Sequence, residues 1–115
     1  MATRKLDKKE WHAFFDRVTG MLEGKQAEIE VASLHLGDQV QAEWLPLIGI
    51  TYDPEDDLVE VALEGLDHLI DQPRAISVED GPAGIVSLEI IDADDVRQIV
   101  KLRDPVLLPA PAQGR

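Results

Sequence analysis

The sequence predicts an α+β domain: one N-terminal helix packed on a strongly bent, antiparallel sheet of five or six strands, open or half-closed into a barrel. Two observations lead to this prediction. The first 25 residues contain one amphipathic helix pattern, and the segment from Glu28 to Leu63 has the pattern of three strands joined by two short turns. An antiparallel sheet needs cover on only one face, which a single helix can provide.

Length and composition indicate the class of protein. The chain has 115 residues, with 44% hydrophobic and 30% charged residues, as in ordinary globular domains. We expect one folded domain over residues 1–108 and a flexible Pro/Ala-rich tail over 109–115. Cysteine is absent, which excludes disulfides and thiolate metal sites. No apolar run is long enough to cross a membrane, and the N-terminal residues lack the apolar segment of a secretory signal, so we expect a cytoplasmic protein without membrane contact.

The charge is distributed unevenly along the chain. Residues 1–26 carry six basic and four acidic side chains, a net charge of +2, whereas the remainder carries five basic and nineteen acidic ones, for a total of −12. A field of this sign repels phosphates, so we expect no binding to nucleic acid. It suits a basic partner or a cation, although acidity also keeps a small protein soluble.

The first element is predicted to be a helix that begins after Asp7. Asp7 and Glu10 have the spacing of a capping box, and Leu6 and Trp11 occupy the positions of a hydrophobic staple. The helix ends at Gly20 or at Gly24, and we favour Gly24 because the apolar stripe continues past Gly20. That stripe, at helical spacing, consists of Trp11, Phe14, Phe15, Val18 and Leu22.

The first predicted hairpin pairs Glu28–Leu36 with the strand that follows a two-residue Gly37-Asp38 turn. This register places His35 opposite Val40, Ser33 opposite Ala42, Val31 opposite Trp44 and Ile29 opposite Pro46. From Val40 to Tyr52 the even positions are mostly apolar, which predicts one continuous buried face that includes Trp44 and Tyr52. Leu45 and Leu47 then point to the opposite face and could form a dimer contact.

The second predicted turn is Asp53-Pro54-Glu55-Asp56-Asp57, a sequence typical of a type I turn. It pairs Tyr52 with Val59, Ile50 with Val61 and Ile48 with Leu63. Residues 64–73 fit either a short helical turn, stopped by Pro73, or a bent strand.

The last part of the chain predicts three further strands. Ala75–Glu79 places Ile76 and Val78 inward and precedes a loop at 80–84. A hairpin joins Ile85–Asp92 to Val96–Leu102 through the three-residue loop Ala93-Asp94-Asp95, with Asp95 left-handed. This register sets Leu88 opposite Val100, Ile90 opposite Gln98 and Val86 opposite Leu102. Val106–Leu108 could then form an apolar strap over the core.

Four segments of the chain resemble an uncharacterised family of short bacterial single-domain proteins, a domain of unknown function. They are EWHAFFDR, AEIEVASLHLGDQVQAEWLPLIGITYDPEDD, ALEGLDHLI and SLEIIDADDVRQIVKLRDP. The resemblance extends over roughly residues 1–109. It implies a stand-alone bacterial cytoplasmic protein, and it implies no catalytic, cofactor-binding or metal-binding residues.

The residues themselves predict no catalytic, cofactor or metal site. The carboxylates at 53–57 and 92–95 lack the spacing of a calcium loop and fit turn chemistry. His12, His35 and His68 lie on different elements, no serine has the surroundings of a nucleophile, and no glycine-rich phosphate loop is present. We therefore expect a non-catalytic protein-interaction or regulatory module, with a homodimer as one form of partner. The alternative is a small-molecule-binding protein or small enzyme with a pocket between helix and sheet near His35 or His68.

Overall fold

The computed structural model describes residues 2–35 and 37–105. Within these residues a short strand precedes the helix, and seven further strands follow it. In chain order the elements are β1 (Ala2–Leu6), a 3-10 turn (Lys8–Glu10), α1 (Trp11–Leu22), β2 (Gln26–Ser33), β3 (Gly37–Asp53), β4 (Leu58–Leu63), β5 (Leu66–Asp71), β6 (Pro73–Gly81), β7 (Gly84–Asp92) and β8 (Arg97–Arg103). Leu36, the expected strap at 106–108 and the expected tail at 109–115 lie outside the described residues.

The strands form one open antiparallel sheet in the order β1-β6-β7-β8-β2-β3-β4-β5. The predicted class, one helix on an antiparallel sheet, is confirmed, but the sheet has eight strands rather than five or six. The two additional strands are β1, which was not expected, and β5, which was one of two alternatives for residues 64–73, and they are also the two edges. β1 pairs with β6, 70 residues or more further along the chain, with Leu6 opposite Ile76. Such a distant partner leaves no trace in the local pattern.

Helix α1 buries the stripe that the sequence predicted: Trp11, Phe14, Phe15, Val18 and Leu22. Two hydrogen bonds stabilise the start of the helix. The Asp7 amide donates to Glu10 Oε1 at 3.2 Å, and Trp11 Nε1 donates to the Leu6 carbonyl at 3.3 Å. The helix passes through Gly20 and ends at Leu22, and Gly24 takes a left-handed φ of +89° just beyond it. The prediction that this helix is the first element is wrong, because β1 precedes it.

Strand β3 does not keep the single apolar face that its alternating sequence predicted. The register of its pairing with β2 shifts on both sides of the pair Ile29↔Ala42. The register of its pairing with β4 shifts once, between Leu47 and Gly49. Each shift is a β-bulge that gives β3 one extra residue, bends the strand and moves the following side chains to the other face. The buried residues are therefore Ala42, Leu47, Ile50 and Tyr52, whereas Val40 and Ile48 are 55% and 57% exposed.

Two further predictions about this strand are corrected by the bulges. Trp44 has a φ of +52° and is only half-buried, with the Arg103 guanidinium carbon 4.0 Å from its ring centroid. Leu47 is buried in the core, so Leu45 and Leu47 do not form a second apolar face for a dimer. Leu47 also pairs with Leu63, in the place expected for Ile48.

The first hairpin turns earlier than the sequence predicted. Ser33 pairs with Gly37, Ala32 with Asp38 and Val31 with Gln39, so Gly37-Asp38 belongs to β3 rather than to the turn. Gly37 has the left-handed φ of +68° that is typical of a turn glycine, but it adopts this conformation at the first position of β3. His35 is exposed in the turn and does not lie opposite Val40.

The remaining pairings agree more closely with the sequence. Tyr52 pairs with Val59 and Ile50 with Val61, as predicted. Residues 66–71 are a strand, the second of the two alternatives, which returns along β4 after a turn at Gly65. In the last hairpin Leu88 pairs with Val100 and Ile90 with Gln98, and Asp95 is left-handed at φ +63°. The segment predicted as a loop at 80–84 is instead a tight hairpin, in which Gly81 pairs with Gly84.

Candidate functional site

The three histidines lie on different parts of the fold, on α1, in the first hairpin turn and on β5, and each has its own surroundings. His12 is on the exposed side of α1, where its Nδ1 lies 3.1 Å from the Tyr52 carbonyl oxygen and its Nε2 lies 3.3 Å from Asp16 Oδ2. His35 is exposed and borders a cavity of about 350 Å³ between the first hairpin turn and the turn at Asp94 and Asp95. These positions do not bring an imidazole into the space between helix and sheet.

His68 belongs to a polar chain that crosses the inside of the curved sheet. Its Nε2 lies 2.5 Å from Gln98 Oε1, and Gln98 Nε2 donates to Asp92 Oδ2 at 3.2 Å. Gln98 is 7% exposed and is the buried polar residue of the described core. The sequence placed Gln98 opposite Ile90, but only the curvature of the sheet brings it against β5. These hydrogen bonds satisfy the buried polar groups of the side chains and connect the edge strand β5 to β8 near the centre of the sheet.

The two acidic turns use their carboxylates to hold the backbone. Asp53 Oδ1 accepts a hydrogen bond from the Glu55 amide at 2.9 Å. Asp92 Oδ1 accepts from the amides of Asp94 and Val96 at 2.9 and 3.1 Å. Within residues 2–35 and 37–105, no three His, Asp or Glu side chains are grouped so that they could hold a metal ion.

A groove lined by basic residues runs along α1 on the side of strand β1. It consists of two adjoining cavities of about 330 and 310 Å³ that share Arg4, Phe14 and Arg17. We call it the basic groove. Its charged lining comprises five basic side chains and two acidic ones, a formal charge of +3 on a protein whose total is −12: Arg4, Lys5, Lys9, Arg17 and Lys25, with Glu10 and Asp80.

Phe14 lies in both cavities of the basic groove, and two arginines lie close to its ring. The guanidinium carbons of Arg4 and Arg17 each lie 5.5 Å from the ring centroid of Phe14, within the range of cation–π attraction. The ring itself is buried, as are Val18 and Leu22 beside it, whereas Met21 is 65% exposed at the rim. The aromatic ring thus holds two cations of like charge close together.

The cations of the basic groove differ in whether they already have an acidic partner. Arg4 Nε donates to Asp80 Oδ2 at 2.8 Å, and this bond raises the pKa of Arg4 and lowers the pKa of Asp80. Lys25 Nζ lies 2.8 Å from Asp104 Oδ1. Lys5, Lys9 and Arg17 have no carboxylate within ion-pair distance among the described residues. The groove therefore has unneutralised positive charge at its surface.

Sequence reasoning did not identify the basic groove, although one sign of it was available. The excess of basic residues in 1–26 is the local signal. The grouping also needs Asp80 and Ile85 from the β6–β7 hairpin, which reach the groove because β1 pairs with β6.

Comparison with known proteins places the chain among relatives without an assigned activity. The model of a family of unknown function, DUF5335, matches residues 2–111. The chain belongs to the DUF5335 family. It is also 36% identical, over 110 residues, to an uncharacterized protein of the bacterium Aquifex aeolicus (strain VF5), an alignment that covers 95% of this chain and 99% of the relative. No solved structure matches the chain. In the described part of this DUF5335 protein, α1 is too short to cross a membrane.

Proposed function

We propose that this DUF5335 protein is a non-catalytic protein-interaction module that binds an acidic partner in the basic groove. The observation that carries the proposal is the charge: the groove is formally +3 on a protein of −12. A positive surface on a negative protein selects its partner by sign, because an acidic segment is attracted only where the groove is and is repelled elsewhere.

The composition of the groove supports protein binding rather than simple charge attraction. Arginine is enriched at protein interfaces, and Arg4 and Arg17 lie here at one buried ring, that of Phe14. An arginine can hold a carboxylate through two parallel N–H···O bonds, which a lysine cannot do. Met21, unbranched and 65% exposed, adds an adaptable apolar contact at the rim.

The test compares proteins captured from a native bacterial lysate by three forms of the protein. They are the wild type, the groove variant Lys9→Gln/Arg17→Gln and the control Arg74→Gln/Arg97→Gln. Both variants lower the net charge by two, and all four side chains are exposed, but Arg74 and Arg97 lie outside the basic groove. We expect a protein with an acidic segment to be retained by the wild type and the control and lost by the groove variant.

The dependence of retention on salt and the comparison of the two variants decide the result. Retention should weaken as ionic strength rises, since exposed charges are screened within about 8–10 Å at physiological salt. If the groove variant and the control capture the same proteins in the same amounts, the basic groove is not the docking surface and the proposal fails.

The alternative, a small-molecule-binding protein or small enzyme near His35 or His68, stays a prediction with less support. His68 is engaged with Gln98, and His35 borders its cavity from an exposed turn. A ligand pocket needs several convergent polar groups on rigid elements. The basic groove has such groups on β1 and α1, which is why the interaction role is preferred.

A further inference from the structure

We infer that the acidic partner binds the basic groove as an extended strand added to the open edge of β1. This inference rests on the proposed function and specifies its geometry. β1 is the edge of the sheet and pairs only with β6 among the described residues. Its other side has backbone N–H and C=O groups of the kind that an added strand can pair with.

The basic groove runs beside this edge strand. Three consecutive residues, Arg4, Lys5 and Leu6, border the same 310 Å³ cavity. Successive side chains of a strand point to opposite faces of a sheet, so a cavity bordered by three residues in a row lies against the strand backbone as well as its side chains. The opposite wall is one face of the helical segment, formed by Glu10, Ala13, Phe14 and Arg17 at spacings of three and four. The cavity is therefore a slot between the edge strand β1 and the helix.

The charge of the slot decides which strand it accepts. Cations on an edge strand prevent identical edges from pairing, since a second copy's β1 would bring Arg4 and Lys5 against the same residues. An acidic strand meets the opposite situation, because Lys5, Lys9 and Arg17, which have no carboxylate partner in the described part of the chain, can pair with its carboxylates. The chain's own β5 is an acidic edge through Asp67 and Asp71, but two copies of net charge −12 repel each other. We therefore assign the slot to an acidic segment of a different protein.

The test uses an end-capped octapeptide of alternating glutamate and valine with a fluorescent label, followed by anisotropy at low ionic strength. In an extended chain the amides of successive residues point to opposite edges of the strand. A peptide that is N-methylated on its valines therefore cannot donate hydrogen bonds from one edge, and a peptide that is N-methylated on its glutamates cannot donate from the other edge. We expect the unmethylated peptide to bind and one of the two methylated forms to lose about tenfold or more in affinity, while the other is tolerated.

The protein variants keep strand addition and charge attraction separate. Lys9→Gln/Arg17→Gln should weaken binding of the peptide, and Arg74→Gln/Arg97→Gln should not. If both methylated peptides bind like the parent while the groove variant still weakens binding, strand addition is wrong and the proposed function survives. If the wild-type protein does not bind the parent peptide, or if it binds a lysine–valine peptide equally well, the inference is overturned.

Two measurements on the same samples complete the test. Hydrogen exchange should show alternate amides of Ala2–Leu6 becoming protected when the peptide binds, and unchanged exchange there contradicts the inference. Sedimentation of the protein alone should show a monomer. Association of copies that Asp67→Asn/Asp71→Asn abolishes would instead assign the slot to β5 of a second copy.

Discussion

Thr19 Oγ1, in the last turn of α1, accepts a hydrogen bond from the backbone nitrogen of Ile50 at 3.0 Å. This bond lies next to the bulge at Ile48, and it satisfies an amide of β3 from the helix rather than from a neighbouring strand. The same approach leaves no room at Gly49, where a β-carbon would lie 2.8 Å from Thr19 Oγ1. One contact thus fixes the distance between helix and sheet.

We predict that Gly49→Ala destabilises the protein by about 1–3 kcal/mol, because the added methyl group must push the helix away from β3. Gly49 does not have a positive φ, so the cost reports the close approach and not backbone strain. In a Thr19→Ala background the same substitution should cost clearly less, since the obstructing oxygen is gone. Urea denaturation of the four proteins in this cycle measures the difference, and equal costs in both backgrounds would show that Thr19 is not the obstacle.

Tyr52 should make stability fall at alkaline pH. Burial raises the pKa of Tyr52 to about 12, and the hydrogen bond that its hydroxyl donates to Asp57 Oδ1 at 2.6 Å adds to the shift. Because the folded pKa is above the unfolded value of 10.0, the stabilisation is fully present below pH 10 and is lost as pH rises toward 12. It is the chain's one tyrosine, so ultraviolet absorbance titration reads it directly.

The control for this prediction is Tyr52→Phe. The free energy of unfolding of the variant should lack the part of the alkaline slope that belongs to the phenol, while the slope from lysines is common to both proteins. A wild-type phenol that titrates near pH 10 would contradict the prediction.

Trp11→Ala is expected to cost about 3–5 kcal/mol, as truncation of a buried aromatic residue does. Trp11 is 1% exposed, and its ring meets Tyr52 edge to face with centroids 5.2 Å apart. Met21→Ala on the exposed side of the same helix is the matched control and should change stability by about 0.5 kcal/mol or less. A loss below about 1 kcal/mol for Trp11→Ala would mean that α1 does not pack on the sheet as described.

The acidic turns should not bind divalent cations specifically. A true site at a hundredfold excess over its dissociation constant adds about 2.7 kcal/mol, a rise in melting temperature of roughly 10 °C for a domain of this size. We expect millimolar Ca²⁺ or Mg²⁺ at matched ionic strength to raise it by less than about 2 °C. Asp56→Asn should leave the response unchanged, and a large metal-dependent stabilisation that this substitution abolishes would establish a cation site at residues 53–57.

Some features of the fold could be predicted because their causes lie within a few residues. The stripe on α1 follows from helical periodicity, and Asp95 adopts the left-handed conformation that its three-residue loop requires. The pairs Tyr52–Val59 and Leu88–Val100 follow from short turns that set the register of adjacent strands. In each of these cases the interacting groups are neighbours in the sequence or are joined by one tight turn.

The basic groove illustrates the opposite case. The sequence contained its cations, and their excess in residues 1–26 was visible, and helical spacing alone puts Arg17 beside Phe14. The position of Arg4 at the same ring was not predictable, because Arg4 lies on β1, a strand whose partner β6 is distant in the chain.

By itself, then, the sequence determined the class of the fold, the buried face of the helix, the β7–β8 hairpin, part of the β3–β4 register and the opposite charge of the two parts of the chain. The tertiary structure decided the bulges of β3, the positions of β1 and β5 at the sheet edges, and the placing of Gln98 against His68. The reason is physical: alternation favours one face for β3 only if the strand stays regular, and packing Thr19 against Ile50 and burying Leu47 favour a bent strand instead. Local preference is worth tenths of a kcal/mol per residue, and burial of a large apolar side chain is worth about 1.5–3 kcal/mol, so packing prevails where the two disagree.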